Sequence, residues 1–309
     1  VYTMVLLIGV ERFFGKEDKN ENHINDALVP DSILAMHVIM HTLSIATLLY
    51  AIHVGLLEGK FIWFATVSTG ISSGIEGINS AHEMIHRKQR AWQLAGIWNL
   101  LLVNYGHFYT EHIRNHHKNV GTVDDPATAK FGESVYAFII RTIPKQYKSA
   151  MMIEAVRLRK ENRFAFGTGN FIIRVSFIQI LICLLIYFFF SKVILLSYLL
   201  QSVIAFFLLE YVNYIEHYGL IRESGKKVNP THSWQSDLTI SRFALVELSR
   251  HSDHHMVASK PYHTLVSHND SPVLPTGYFG SFYYALIPPL WFKLVHPVLN
   301  EFQKNKPGE

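Results

Sequence analysis

The chain of 309 residues is apolar and poor in charge, with 49% hydrophobic, 13% aromatic and only 17% charged residues, which sets it apart from an ordinary soluble domain. Its single cysteine, Cys183, excludes a disulfide framework, a cysteine-based zinc site and an iron–sulfur cluster carried on this chain. The formal net charge of +4 is interleaved with acids and apolar segments and no nucleic-acid motif accompanies it, so the expected counter-charge is lipid headgroup and not nucleic acid.

In chain order, Val1–Val10 is apolar but too short to span a bilayer. It reads as the tail of a helix, with an N-terminal helix or helices missing ahead of it. Four segments are then apolar over the about 20 residues a membrane helix needs: Ile33–Leu57, Phe61–Ala81, Phe171–Phe190 and Val193–Tyr214. Short turns at Glu58–Lys60 and Ser191–Lys192 join them into two hairpins. A soluble alternative would bury both hairpins in one globule, although Leu181–Phe190 has nothing polar to turn outward. The apolar stretch Trp92–Tyr109 carries Asn99, Asn104 and His107 and is expected as a partly immersed helix. Phe282–Trp291 holds Pro288 and Pro289, which predicts an interfacial or re-entrant piece, because proline is disfavoured inside a helix.

Basic residues orient the bundle. Lys and Arg number 3 in residues 11–32, 13 in 87–170 and 9 in 222–309. Alternating spans put these stretches on one side, and the positive-inside rule makes that side cytoplasmic. The fold expected is an all-α integral-membrane helical bundle forming one domain over 1–309, with catalytic segments 82–170 and 215–309 in the cytoplasm.

Those segments hold an unusual set of histidines among the 18 in the chain. His82 and His86 stand four apart directly after the second span. His112 and His116 repeat that spacing, so each pair is expected to share a helix face, while the adjacent His117 turns towards a neighbouring metal. His217 follows the fourth span. His251, His254 and His255 have i, i+3 and i+4 spacing. Any one of them alone reads as an ordinary core or surface histidine. Nine at the cytoplasmic ends of helices exceed what one ion needs, and neutral imidazole suits Fe, Zn, Cu and Ni. His82-Glu83-Met84-Ile85-His86 also fits the zinc-peptidase signature, but the other seven histidines are superfluous to that chemistry. A redox pair of metals able to activate O2 uses them all. Glu83, Glu111, Asp124, Asp125, Glu216 and Asp253 are the candidate acceptors for the outer N–H of the histidines; exposed loop charge is the plain alternative for each.

With these groups in order, the sequence resembles the integral-membrane alkane hydroxylases (alkane 1-monooxygenases) of the histidine-motif superfamily, which includes membrane fatty-acid desaturases and xylene monooxygenase. Asn213-Tyr214-Ile215-Glu216-His217-Tyr218-Gly219-Leu220 is its most specific element, joined by Asp125-Pro126-Ala127, His232-Ser233-Trp234, Arg250–His255 and Leu274–Tyr278. The resemblance implies two iron ions held by the nine histidines. It also implies electrons from a separate rubredoxin with its NAD(P)H-dependent reductase, location in the bacterial inner membrane, and the reaction RH + O2 + 2e− + 2H+ → ROH + H2O at a terminal carbon. Ile71, Ile75, Phe108 and Leu209 are expected along an apolar substrate channel, with plain packing or lipid contact as the alternative. Basic residues within 141–163 suit either an acidic rubredoxin or anionic headgroups. Within enzymes the rivals are a desaturase or an aryl-methyl hydroxylase. Outside them the rival is a metal-binding membrane sensor or transporter, which the one-sided placement of the histidines disfavours.

Overall fold

The computed structural model describes residues 6, 9–11, 13–20 and 27–305. The stretch 1–10, expected as a helix tail, therefore lies largely outside the described residues. Among the described residues, β-pairing is limited to two isolated bridges, Lys16 with Leu238 and Gln235 with Val273, and the fold is otherwise helix and loop. The chain divides into two compact units. The first comprises Val1–Asn25, His116–Pro144 and Glu210–Glu309, and the second comprises Asp26–Asn115 and Lys145–Leu209.

Three helices among the described residues are long and apolar enough to cross a membrane: Leu28–His53, Phe171–Phe189 and Lys192–His217. They match three of the four expected spans. The first begins earlier than its apolar run because Asp31 favours the positive end of the helix dipole and Ser32 Oγ donates to the Leu28 carbonyl at 2.7 Å. Phe171–Phe189 buries only Ile172, Val175 and Ile186, leaving Phe177, Ile180 and Phe188 exposed. A helix so apolar on its outer faces matches hydrocarbon and not water.

The remaining expected span, the second in chain order at 61–81, is not one α-helix. Lys60–Ser72 is α-helical, Ser73–Ile78 is a π-helical turn, and Asn79–His86 resumes the α-helix. The wider turn disturbs the regular backbone ladder. Asn99 Nδ2 and Ser80 Oγ each donate to the Gly77 carbonyl at 3.1 Å, which keeps that buried acceptor satisfied. Just before it, Gly70 allows close approach of the Lys192–His217 helix: a Cβ there would lie 2.8 Å from Ile204 Cβ and 3.0 Å from the Gln201 carbonyl. Polar clasps complete the second unit. Ser73 Oγ donates to Gln201 Oε1 at 3.0 Å, Gln201 Nε2 to the Leu102 carbonyl at 3.1 Å, and Asn104 Nδ2 to Ser202 Oγ at 3.0 Å. The helix expected over 92–109 runs only from Arg90 to Leu102, because Asn104 takes a left-handed conformation (φ 56°) and turns the chain before Phe108–Glu111.

The first unit is built from short helices tied by side-chain-to-backbone bonds. Pro288 and Pro289 open the helix Pro288–Asn305, where a missing N–H costs nothing. Trp234 is buried, its backbone N–H donating to the Glu216 carbonyl at 2.8 Å and its indole to the Tyr218 carbonyl at 3.0 Å. Arg250 is 1% exposed; its guanidinium donates to the carbonyls of Leu265, Glu17 and Lys19 and approaches Asp237 at 3.3 Å. These bonds fix the start of the helix His251–Met256.

Candidate metal centre

In the second unit, the short helix after the π turn carries His82 and His86 on one face, as their i, i+4 spacing requires. Their ring centroids are 5.1 Å apart, and His112 lies 4.5 Å from His82 and 5.0 Å from His86. The nitrogens these three present lie within 4.8 Å of one another. Phe108 stacks on His112 at 4.5 Å with rings 22° apart, and sits 6.3 Å from His82.

In the first unit, His116, His217, His251 and His255 bring their nitrogens within 4.8 Å of one another, and all four are buried. His251 Nε2 is 3.2 Å from His217 Nε2 and 2.9 Å from His255 Nε2. His117 Nε2 and His254 Nε2 meet at 3.1 Å. All nine sequence-derived histidines therefore fall in tight groups within their own units.

One expectation changes. His112 and His116 were to share an α-helical face, yet the segment His112–His116 is π-helical. The wider turn rotates His116 off the line of His112, so His112 packs on Phe108, His82 and His86 while His116 packs on His217 and His255, each at 4.8 Å.

The six carboxylates behave differently from one another. Asp125, expected as an outer acceptor, places Oδ2 2.9 Å from His116 Nδ1 and also takes the Thr128 hydroxyl at 2.6 Å and the Ala127 N–H at 3.0 Å. Glu216 Oε2 lies 3.2 Å from His251 Nε2 while Tyr278 OH donates to Oε1 at 2.8 Å. Asp253, also expected as an outer acceptor, bonds His268 Nε2 at 2.8 Å, Lys260 Nζ and the Val266 N–H, and its charge acts on His254. Asp124 is exposed, its backbone N–H donating to Thr122 Oγ1, so its neighbour Asp125 takes the inward place. Glu83 accepts from Arg87 at 2.7 Å and Glu111 from Asn115 at 2.6 Å. The backbone carbonyl of His232, not anticipated from sequence, faces His217 Nδ1 at 3.4 Å.

The electrostatics favour neutral rings at His254 and His255. Burial, with His116 close by, pulls His254 down to about 3. Burial and the imidazoles of His117, His251, His116 and His217 hold His255 well below its ordinary value. For Asp125, burial pushes the carboxyl up, but the charge and hydrogen bond of His116 and the Thr128 hydroxyl outweigh it, and the group stays below the usual carboxylate range. Neutral imidazole nitrogens at 2.9–3.2 Å from one another can share at most one proton per pair. The alternative that satisfies all of them is a cation in their midst, so the donor set fits a nitrogen-ligated transition metal.

Of the four channel residues, Phe108 and Leu209 are buried and Ile71 and Ile75 half-buried, the latter on the π turn of the second unit. Sequence reasoning gave no individual role to His268, to Tyr278 at the end of the Leu274–Tyr278 signature, or to the buried His107, whose ring lies 4.3 Å from Tyr105 and 5.5 Å from Tyr147. None sits in a spaced motif, and only their partners in the fold reveal them.

A family model described as fatty acid desaturase matches residues 59–288. Alkane 1-monooxygenase 1 of Pseudomonas aeruginosa is 34% identical over 307 residues, covering 95% of this chain and 80% of that protein. Alkane 1-monooxygenase 1 of Alcanivorax borkumensis is 36% identical over 76% of this chain and 59% of its own length. The xylene/toluene monooxygenase hydroxylase component of Pseudomonas putida is 29% identical over 77% of this chain and 65% of its own. The chain thus spans between 59% and 80% of the length of these relatives. Apolar helices, grouped imidazoles and the extent of these matches agree: the chain belongs to the fatty acid desaturase family and, within it, to the alkane 1-monooxygenases.

Proposed function

We propose that this protein hydroxylates the terminal carbon of an alkane, taking one oxygen atom from O2 and its electrons from a separate rubredoxin. The observation that carries this reading is the convergence of four buried imidazoles, His116, His217, His251 and His255, on one small volume. The nine histidines would hold two irons, which would supply the redox chemistry that O2 activation needs.

The chain's own residues do the rest. Asp125 fixes the tautomer and orientation of His116, so that Nε2 is the nitrogen left to bind. Phe108 against His112, with Ile71, Ile75 and Leu209, forms an apolar wall that aligns a substrate lacking any polar handle and keeps water away. Lys145, Lys148, Arg159, Lys160 and Arg163 are exposed and receive the acidic donor by electrostatic steering, an encounter that weakens with salt. The protein resides in the bacterial inner membrane, with the centre on the side where basic residues concentrate, the cytoplasm.

The test is turnover of octane and hexadecane by the membrane-embedded protein with rubredoxin, its reductase and NAD(P)H, scoring products by gas chromatography. The expected product is the 1-alkanol. Alkene from an acyl chain would instead identify a desaturase. Benzyl alcohols from xylene without alkanols would favour the chemistry named in the Pseudomonas putida relative.

A further inference from the structure

In the first unit, the turn that follows His116 and His117 is closed by Arg222, a few residues beyond His217. Its Nε donates to the Val120 carbonyl and its Nη2 to the Lys118 carbonyl, each at 2.7 Å, and its Nη1 donates to the Lys226 carbonyl. Its backbone N–H donates to the Gly121 carbonyl at 2.7 Å. Gly121 permits this approach, because it takes φ +77° and a Cβ there would lie 3.0 Å from Arg222 Cβ. From Gly121 a chain of hydrogen bonds runs to the histidines. The Gly121 N–H donates to Thr128 Oγ1 at 2.9 Å, the Thr128 hydroxyl donates to Asp125 Oδ2 at 2.6 Å, and that same oxygen lies 2.9 Å from His116 Nδ1. Arg222 is 5% exposed, yet among the described residues its guanidinium meets carbonyls alone and no carboxylate comes within ion-pair distance. A buried cation without a paired anion is costly to keep, and the carboxylate whose charge acts on it is Asp125.

From this arrangement we infer that Arg222 is a positioning residue of the metal centre, one that fixes His116 through Asp125 and also weakens His116 as an electron donor to the ion it would hold. The inference rests on the metal-binding reading above. Two effects follow from the one side chain. Held by three carbonyls, the guanidinium fixes the turn from Lys118 to Gly121, and with it the Thr128 and Asp125 pair behind His116. Its charge also draws on the Asp125 carboxylate and so competes with His116 for it. An outer carboxylate raises the basicity of a ligating imidazole, and a cation acting on that carboxylate offsets part of the rise. The same cation opposes a build-up of positive charge nearby. Both electrostatic effects have one sign. They favour the more reduced ion and raise the reduction potential of a metal held by His116, His217, His251 and His255. A lysine could supply the charge but not the planar fork that reaches several carbonyls. A residue that merely stapled the turn would set affinity and leave the potential where it is.

The test compares the full chain in detergent, loaded with iron-57, as wild type, Arg222→Lys and Arg222→Met. Two quantities are read: iron retained during dialysis against a chelator, and the reduction potential of the centre from a redox titration followed by Mössbauer spectroscopy. We expect Arg222→Met, which loses both donors and charge, to lower iron affinity about 10–100-fold, the range that follows loss of an outer partner, and to move the potential to a more negative value. Arg222→Lys should hold the potential near that of wild type while affinity still falls. Lowered affinity at an unchanged potential in Arg222→Met, or no change in either, overturns the inference alone. Wild-type protein that takes up no iron overturns the metal-binding reading beneath it. Circular dichroism on the same samples checks folding. If Arg222→Met does not fold, Arg222→Lys decides, since wild-type affinity or a displaced potential in that variant also overturns the inference.

Discussion

His116 and Asp125 form a buried couple in which an imidazole Nδ1 and a carboxylate oxygen stand 2.9 Å apart and neither group reaches solvent. The contact does two jobs. It assigns the tautomer of the ring, and through Ala127 N–H and the Thr128 hydroxyl it folds the chain that follows. Replacing Asp125 by Asn keeps the shape and removes the charge. We expect iron affinity to fall about 10–100-fold, read as iron retained during dialysis against a chelator. Retention equal to wild type would show that Asp125 does not orient His116.

His217 ends the helix Lys192–His217 and touches three other histidines, His116 at 4.8 Å, His255 at 4.9 Å and His251 at 5.1 Å between ring centroids. Its replacement by Ala removes one of the four rings of that group. Hydroxylation should drop below detection while the protein still partitions into membranes and keeps its helical content. Wild-type turnover in that variant would remove His217 from the site.

Close helix packing at Gly70 is a separate test of the membrane-embedded part. An Ala Cβ would stand 2.8 Å from Ile204 Cβ and 3.0 Å from the Gln201 carbonyl, both stiff neighbours. Gly70→Ala should cost about 1–3 kcal/mol, the usual range for overpacking, and should lower the melting temperature in detergent. An unchanged melting curve would mean that the two helices part more easily than this contact implies.

Burial pulls His107 down to about 4 from an ordinary value of 6.5. The unfolded chain therefore binds a proton at higher pH than the folded one. Stability attributable to this residue is complete above the unfolded value and is lost as pH falls from 6.5 towards 4, by up to about 3 kcal/mol. Thermal melts of wild type and His107→Phe should keep a constant offset above pH 6.5 and shift relative to each other as pH falls towards 4, wild type losing stability that the Phe variant, with nothing to titrate there, retains. Parallel curves would show that His107 is not held neutral by its surroundings.

The helices and the histidine groups were legible because both depend on local rules. Apolar length gave Leu28–His53, Phe171–Phe189 and Lys192–His217, and the i, i+4 rule placed His82 with His86 and His251 with His255. The same rule misled at His112 and His116, where a π turn, set by packing and not by local pattern, changed the phase. The carboxylates were less legible still. Asp124 and Asp125 are neighbours with the same side chain, and only the loop through Ala127 and Thr128 decides which one turns inward. Asp253 is divided between Lys260 and His268, partners 7 and 15 residues away that no spacing rule connects. His107 shares no motif with the others and owes its character to burial beside Tyr105 and Tyr147.

The π turn over His112–His116 adds residue count to the identity of its two imidazoles as a quantity under constraint in that stretch. A substitution at Ile113 alters a side chain and leaves the angular step between the flanking imidazoles as it was. Because a π turn is an α-helical turn with one residue added, deleting one residue from it would restore ordinary helix geometry and change which side chain stands where an imidazole now does. Replacement at Ile113 can therefore pass where replacement of His112 or His116 cannot, and loss of a residue would act by removing or displacing one of those two imidazoles.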